Sequence, residues 1–249
     1  MKKTGKKKLD KRFKIAAAVV LLAAIAISCF NAYMIIREAN EYNEGNSVYE
    51  DLQKDIVKPD EKESRIDFAA LKQINDDVIG WLTLEGTVID YPVVQGEDNE
   101  YYLHHLYTGE WNGLGTLFAD FRNRELFTDQ ISVIYGHSMR NGSMFFILER
   151  YKRQSFYDEH KQLIYETPDG TYVFEPLAGK VMDARIPFLQ FNFSSEEEYG
   201  EYVEDFIQTS TFKSDVTFSP KDKIVMLIKC TTDYEDARYV LLCKVSPAQ

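Results

Sequence analysis

Hydrophobic residues follow two different patterns along this chain. From Ile15 to Ile36, 22 consecutive residues carry no charge, and nearly every position is apolar. An α-helix rises about 1.5 Å per residue, so this run is long enough for a hydrocarbon core of about 30 Å. A helix also satisfies its own backbone hydrogen bonds in lipid. The pattern therefore predicts a transmembrane anchor over residues 15–36.

A cleaved signal peptide is the alternative interpretation of the same run. Signal peptides have an apolar core of about 7–15 residues and end in small residues. This run is longer and ends in Tyr33, Met34, Ile35 and Ile36, which favours an uncleaved anchor. The basic tail, residues 1–14, stays in the cytoplasm by the positive-inside rule. We therefore expect a single-pass protein of the cell membrane, with the chain after the anchor outside the cell.

The pattern beyond the anchor divides into a polar segment and a globular domain. Residues 37–65 are polar and charged, and they predict a spacer that includes an N-terminal helical segment. Residues 66–249 have the composition of one domain with its own core. Helical spacing opens this domain at Phe68, Leu71, Ile74 and Val78.

Most of the domain consists of short runs of β-branched and aromatic residues between turn signals. The runs are GTVIDYPVVQ, GTLFAD, ISVIYGH, QLIYETPDGTYVFEPLAGKV, KIVMLIKC and ARYVLLCKV. The TPDG sequence at Thr167–Gly170 predicts a hairpin. Many short strands with few helices predict a mainly β fold, a closed or nearly closed β-barrel.

Two helical patterns interrupt the predicted strands. One follows Ser143 and reads SMFFILERYKRQSFYDEH, and the other covers residues 194–210. In the second, Ser195 and Glu198 have the spacing of a capping box, which satisfies backbone N–H groups at a helix start. We therefore expect N-terminal helices and one helix inserted before the strand that ends in Cys230.

Charge separates the basic tail from the rest of the chain. Residues 1–14 hold eight Lys or Arg and one Asp, which gives them a net charge of +7. Because the net charge of the whole chain is −11, the remaining residues have a net charge of −18. So acidic a domain repels polyanions, so no nucleic-acid partner is expected. It attracts cationic partners instead, amines included.

The chain has three cysteines, of which Cys29 lies in the predicted span. Cys230 and Cys243 lie outside it, where disulfides are permitted. If the last two strands form a hairpin, Cys230 pairs near Ala237 and Cys243 near Ile224, which separates the thiols by roughly 20 Å. A disulfide needs Cα atoms within about 7 Å. The hairpin therefore argues against a bridge and assigns Cys243 to the core.

Cys230 has a different setting, because its strand ends there between two polar residues. The same hairpin brings Arg238 to within about one residue pair of it, and a nearby cation favours the thiolate. The alternative for Arg238 is an ion pair with Glu235 or Asp236.

A thiol nucleophile also needs a group that carries protons. The histidines are His104, His105, His137 and His160, and His137 ends the apolar strand of ISVIYGHSMRNG. A structural role at the strand end is the alternative for it. No spacing resembles a zinc site, and no phosphate-binding loop is present.

Together these features resemble one family. A membrane-anchored β-barrel with YGHSM, a cysteine at a strand end and DAR eight residues later is similar to the sortases, cysteine transpeptidases of Gram-positive cell surfaces. GWLTLEGTVIDYPVVQGEDNEYYL and GTLFAD also resemble sortase segments. The added N-terminal segment and the helix inserted before the cysteine strand resemble class B.

The resemblance implies roles for particular residues. Cys230 matches the nucleophile, His137 the proton shuttle, and Arg238 the group that stabilises the oxyanion or positions substrate. The expected substrate contacts are His104, Ile228, Lys229 and Thr231, together with the turn after His137 and residues 188–195. The aromatic side chains Phe188, Phe191 and Phe193 either line this groove or pack in the core or against a helix. The chemistry requires neither metal nor cofactor.

The implied function is a transpeptidase that cleaves a C-terminal sorting signal and transfers the protein to an amine of peptidoglycan or its lipid-linked precursor. Two alternatives stay open. The same machinery could use water as acceptor, as a thiol peptidase, or the domain could be a non-catalytic, membrane-tethered binding or sensing ectodomain.

Both threonine positions of the family pattern before the cysteine differ here, at Met226 and Lys229, whereas Leu227 is kept. Sortases carry Thr directly before the cysteine, and this chain carries Lys229. Lys229 either adds positive potential near the thiol or points to solvent.

Overall fold

A computed structural model describes residues 11–57, 65–124, 127–139, 141–230 and 236–248, and for Cys230 it describes the backbone. The chain divides into two compact units, Met1–Glu44 and Gly45–Gln249. Helix α1 (Lys11–Ile56) begins in the first unit and ends in the second.

The first unit contains the apolar half of α1. Its large apolar side chains, from Phe13 to Ile36, are exposed to the surroundings rather than packed in a core. Within the described residues, α1 is the one helix long and apolar enough to cross a membrane.

The second unit is built on a closed β-barrel, as the sequence predicts. The strands of the described residues are β1 (Val78–Thr83), β2 (Asp90–Val94), β3 (Leu117–Ala119), β4 (Ile131–Tyr135), β5 (Leu163–Thr167), β6 (Gly170–Asp183), β7 (Lys223–Cys230) and β8 (Ala237–Pro247). They close in the order β1-β2-β3-β4-β7-β8-β6-β5. Most neighbours are antiparallel, but the pairs β2–β3 and β4–β7 are parallel.

Short helices connect the strands. The α-helices of this unit after α1 are α2 (Phe68–Ile74), α3 (Gln154–Glu159) and α4 (Glu196–Gln208), with 3-10 helices at Tyr101–Leu103 and Phe145–Lys152. Helix α2 stops at Ile74 because Asn75 adopts an extended backbone. Val78, assigned by its spacing to this helix, therefore belongs to β1.

Ser195 caps α4 as predicted, but the return bond of the capping box goes to Ser194, the residue before the cap. The Glu198 N–H donates to Ser195 Oγ at 3.1 Å, and Glu198 Oε2 accepts from the Ser194 N–H at 2.6 Å. The apolar side of α4 covers the barrel at Tyr199, Val203 and Phe206.

The prediction of a single helix after Ser143 is wrong. The segment forms a 3-10 helix, then an extended residue at Arg153, then α3. In one continuous α-helix, turning about 100° per residue, Leu148, Tyr151 and Tyr157 would point in different directions around the axis. The break at Arg153 lets all three be buried.

The β7–β8 hairpin has a register one residue away from the expected one. Cys230 lies opposite Arg238, and Cys243 lies opposite Val225. Cys243 is a free, fully buried thiol, and its burial raises the pKa well above the ordinary value. The prediction of a core cysteine with no bridge is confirmed.

Side chains along β7 alternate between two environments, as strand geometry requires. Ile224, Met226 and Ile228 pack in the cluster under α4. Lys229 lies on the opposite face, which is covered by the 3-10 helix Phe145–Lys152.

Candidate active site

Three strand ends meet at one end of the barrel. Strand β7 lies between β4 and β8 in the sheet. Because β4 and β7 are parallel, their C-terminal ends lie at the same edge, and the antiparallel β8 begins there. His137 follows β4, Cys230 ends β7, and Arg238 is the second residue of β8. Residues more than 90 positions apart in sequence are thus neighbours.

The backbone register shows how closely these positions correspond. Cys230 is the direct partner of Arg238. On the other side, Tyr135, the last residue of β4, is level with Ile228, and the Gly136 N–H still bonds to the Ile228 carbonyl. Extending this register by two residues brings His137 level with Cys230. Adjacent strands lie about 4.8 Å apart. The three backbones therefore lie within side-chain reach of one another.

Hydrogen bonds hold the backbone around His137 on both sides. The Gly136 N–H donates to the Ile228 carbonyl at 3.1 Å, at the end of the β4–β7 ladder. The Phe145 N–H donates to the His137 carbonyl at 2.9 Å. His137 therefore lies at the base of a short hairpin rather than in a free loop.

The ring of His137 is oriented by a backbone carbonyl. Its Nε2 lies 2.6 Å from the Leu103 oxygen. A carbonyl oxygen can only accept, so Nε2 carries the proton and donates. In the neutral ring Nδ1 is then unprotonated, which leaves Nδ1 as the nitrogen available for proton transfer.

The pKa of His137 is lowered from its ordinary value of 6.5. Burial of the ring is the largest cause, because it disfavours the charged imidazolium. The nearby His104 acts in the same direction, whereas the Leu103 carbonyl acts in the opposite one.

The carbonyl that holds His137 is itself closely supported. Gly115 has φ of +63°, and a Cβ there would lie 2.7 Å from the Tyr102 oxygen and 2.8 Å from the Leu103 oxygen. Only glycine fits this backbone. The Gly115 carbonyl accepts a 2.7 Å hydrogen bond from the Tyr49 hydroxyl of α1. Helix α1 thus supports the loop that orients the histidine.

Arg238 is half-buried at the start of β8. Its Nη1 donates to the Ala237 carbonyl at 3.0 Å. Arg238 forms this bond and no ion pair with Asp236, which is among the described residues. Glu235, the other partner considered for an ion pair, lies outside the described residues. A guanidinium has five N–H donors, and among the described residues the Nη1 bond to Ala237 uses one of them.

Lys229 is buried, with 1% of its surface exposed. Its Nζ lies 2.7 Å from Glu149 Oε2 and 5.6 Å from the centre of the Phe146 ring. The alternative in which Lys229 points to solvent is therefore wrong.

The remaining predicted contact residues have different surroundings. His104 is exposed, and its ring centre lies 6.2 Å from that of His137. Ile228 is buried under α4. Thr231 lies outside the described residues.

The aromatic side chains of residues 188–195 are partly buried against the cluster under α4. Phe193 packs on Tyr199, with ring centres 5.1 Å apart. The Arg122 guanidinium lies 4.5 Å from the centre of the Phe191 ring.

Two groups that act on the site through His137 were not predicted from the sequence. The Leu103 carbonyl is a backbone atom, which carries no side-chain signature. Tyr49 lies in the segment interpreted as a spacer with a helical part. It follows Gly45 by four residues and precedes Leu52 by three, and this helical spacing indicates a buried helix face. Within the described residues, no three His, Cys, Asp or Glu side chains form a group that could hold a metal ion.

Similar proteins and similar solved structures both identify the chain as related to sortase B. No protein-family model matches the chain. The chain is 33% identical over 231 residues to sortase B of Listeria monocytogenes, covering 90% of this chain and 94% of the relative. It resembles the structure of sortase B from B. anthracis with a TM-score of 0.75 and 34% identity, covering 84% of this chain and 99% of that one. The chain also resembles the structure of a Staphylococcus aureus sortase B–substrate complex, with a TM-score of 0.69 and 27% identity. This match covers 84% of this chain and 95% of that one.

Proposed function

Because the chain belongs to the sortase B family of cysteine transpeptidases, we propose that Cys230, His137 and Arg238 carry out acyl transfer through a thioacyl intermediate. The observation that supports this best is the register of three adjacent strand ends. It sets Cys230 between Arg238 on one side and the His137 backbone on the other.

The first half-reaction joins the substrate to the enzyme. The Cys230 thiolate attacks a peptide carbonyl, and a carbon–sulfur bond forms. The developing oxyanion accepts hydrogen bonds from Arg238. His137, protonated on both nitrogens, gives its Nδ1 proton to the leaving amine as the carbon–nitrogen bond breaks. The ring is left in the neutral tautomer that the Leu103 carbonyl stabilises.

The second half-reaction releases the product. An acceptor amine attacks the thioacyl carbon and gives a proton to His137 Nδ1. The carbon–sulfur bond breaks, an amide forms, and the starting thiolate and imidazolium return. Each step uses the same ring nitrogen, so one fixed histidine orientation serves both.

The substrate we propose is a C-terminal sorting signal of a surface protein. A sortase B–substrate complex is among the solved structures that this chain resembles. The acceptor is an amine of peptidoglycan or its lipid-linked precursor, and an acidic ectodomain favours the approach of such cations. We propose that the apolar half of α1 anchors the enzyme in the cell membrane, with the basic tail in the cytoplasm and the barrel outside.

A mass-spectrometric assay tests this function. The full chain in detergent micelles is incubated with a library of pentapeptide-containing substrates and an amine. We expect a thioacyl adduct on Cys230 and a new amide to the amine. Hydrolysed peptide without amide, at saturating amine, would indicate a thiol peptidase that uses water.

Three variants assign the roles. Cys230→Ala removes all acyl transfer. His137→Ala lowers kcat by about 10²–10⁴-fold, the usual share of a general acid–base group. Arg238→Lys keeps the charge but loses the planar donor fork, and it lowers kcat by about 10²-fold or more. Full activity in a folded Cys230→Ala protein would exclude the proposed nucleophile.

A further inference from the structure

The residue before the proposed nucleophile forms an ion pair. The Lys229 side chain is fully buried, and the Glu149 side chain, whose Oε2 lies 2.7 Å from Lys229 Nζ, is 32% exposed. Glu149 also accepts from Lys152 at 2.8 Å. Lys229 is one of the two residues, with Met226, at which this chain departs from the threonines of the family pattern.

The ion pair completes a circuit of contacts around the site. Directly after β4, the Gly136 N–H donates to the Ile228 carbonyl, and the carbonyl of His137, the following residue, accepts from the Phe145 N–H. Phe145 begins the 3-10 helix that carries Glu149. Glu149 returns to β7 at Lys229, one residue before Cys230.

This circuit spans the place where the β4–β7 ladder ends. The ladder fixes the strands as far as Ile228. Beyond it, the separation of the His137 and Cys230 backbones depends on contacts from outside the two strands. The Lys229–Glu149 pair supplies such a contact, because it ties the end of β7 to the helix that follows the histidine hairpin.

Stability alone does not explain the pair. Taking a lysine ammonium out of water carries a desolvation cost that the partner's charge offsets only in part, and apolar replacements of buried pairs are often no less stable. A directional contact between two fixed elements does what apolar packing does less well, which is to select one arrangement of those elements.

We infer that Lys229 and Glu149 are positioning residues, whose ion pair holds the His137 hairpin at the correct distance from Cys230. The inference rests on the proposed function, because the proposed function assigns His137 and Cys230 as the reacting pair. Lys229 acts through the backbone of the next residue and not by contact with substrate.

A double-mutant cycle measures the coupling. The variants Lys229→Met, Glu149→Met and the double variant are compared in the full chain by kcat and KM. We expect each single change to lower kcat about tenfold or more, the range that a small misplacement of reacting groups produces, with KM unchanged. The double variant should be no worse than either single one, because both remove the same contact.

A second measurement does not depend on turnover. Amide hydrogen exchange at Gly136 and Phe145 should be faster in Lys229→Met than in the parent chain, while the melting temperature stays similar. Lys244→Met, which removes the 3.0 Å pair with Asp222, is the matched control. Lys244 lies on β8, six residues beyond Arg238, and we expect neither kcat nor this exchange to change there.

The two proposals fail in different ways. A parent chain without acyl transfer overturns the proposed function, whatever the variants do. An active parent overturns the positioning role if Lys229→Met keeps full kcat, or if the two single effects multiply in the double variant. A fall in kcat that follows the fraction of unfolded protein, with unchanged exchange at Gly136 and Phe145, also overturns it.

Discussion

Burial and a hydrogen bond have opposite effects on the pKa of His137, and the effect of burial is the larger one. Burial lowers its pKa below 6.5, and the Leu103 carbonyl only partly offsets this by stabilising the imidazolium. The fixed Nε2–H bond also decides which nitrogen reacts. One backbone carbonyl therefore sets the tautomer that the proposed chemistry needs.

This environment predicts the shape of the pH–rate profile. Activity requires a thiolate together with an imidazolium, so kcat/KM should be bell-shaped. The imidazolium is lost as pH rises and the thiolate as pH falls. The acid limb of such a bell has its midpoint at the lower of the two pKa values, whichever group it belongs to. The histidine pKa is therefore an upper bound for this midpoint. We expect this limb to have its midpoint below 6.5, measured with one peptide and amine between pH 4 and 10.

Other profiles would contradict the pairing. A flat profile over this range excludes a reaction that needs both ionised groups. An acid limb at or above 6.5 would contradict the lowered histidine pKa. The folding transition should be recorded at each pH, so that loss of structure is separated from loss of protonation.

At the scale of elements, the last turns of α1, from Gly45 to Ile56, belong to the same unit as the barrel. Tyr49 is buried, and its hydroxyl contacts the Gly115 carbonyl at 2.7 Å and Thr116 Oγ1 at 2.9 Å. Gly115 in turn packs against the carbonyl that holds His137. The helix thus reaches the site through one loop.

Tyr49→Phe tests this connection. It leaves the ring packing in place but removes the hydroxyl from two buried oxygens, at a cost of about 1–3 kcal/mol. For a unit of this size, that corresponds to roughly 2–4 °C in melting temperature per kcal/mol. We expect lower stability by calorimetry and reduced kcat.

Tyr42→Phe is the control on the same helix, because its hydroxyl bonds to exposed Glu38 at 2.7 Å. It should leave the melting temperature nearly unchanged. Equal effects of the two substitutions would argue against a specific role of the buried hydroxyl.

At the scale of the whole molecule, the proposed orientation depends on the charge asymmetry of the chain. A tail of +7 precedes the apolar run, and −18 follows. In intact protoplasts we expect added protease to digest a tag at the C-terminus and to spare one at the N-terminus. Lysed protoplasts should lose both tags. A protected C-terminal tag in intact protoplasts would reverse the topology.

Local features of the fold could be predicted from the sequence with some precision. The hairpin Thr167–Gly170, the cap at Ser195 and the pairing of Cys230 with Arg238 to within one residue all depend on side chains close together in the chain. The same reasoning was wrong for the helix after Ser143 and for Val78. In both cases burial against distant elements outweighed the local period.

By itself, the sequence determined the apolar run and the barrel class, because periodicity and turn chemistry act between near neighbours. The three residues proposed for chemistry came from the resemblance of short motifs in the sequence to those of the sortases. Only the tertiary structure decided that β4 lies parallel to β7, that the Leu103 carbonyl orients His137, and that Lys229 is buried against Glu149. These are contacts between segments far apart in sequence, and which segments meet depends on how the whole chain buries its apolar surface.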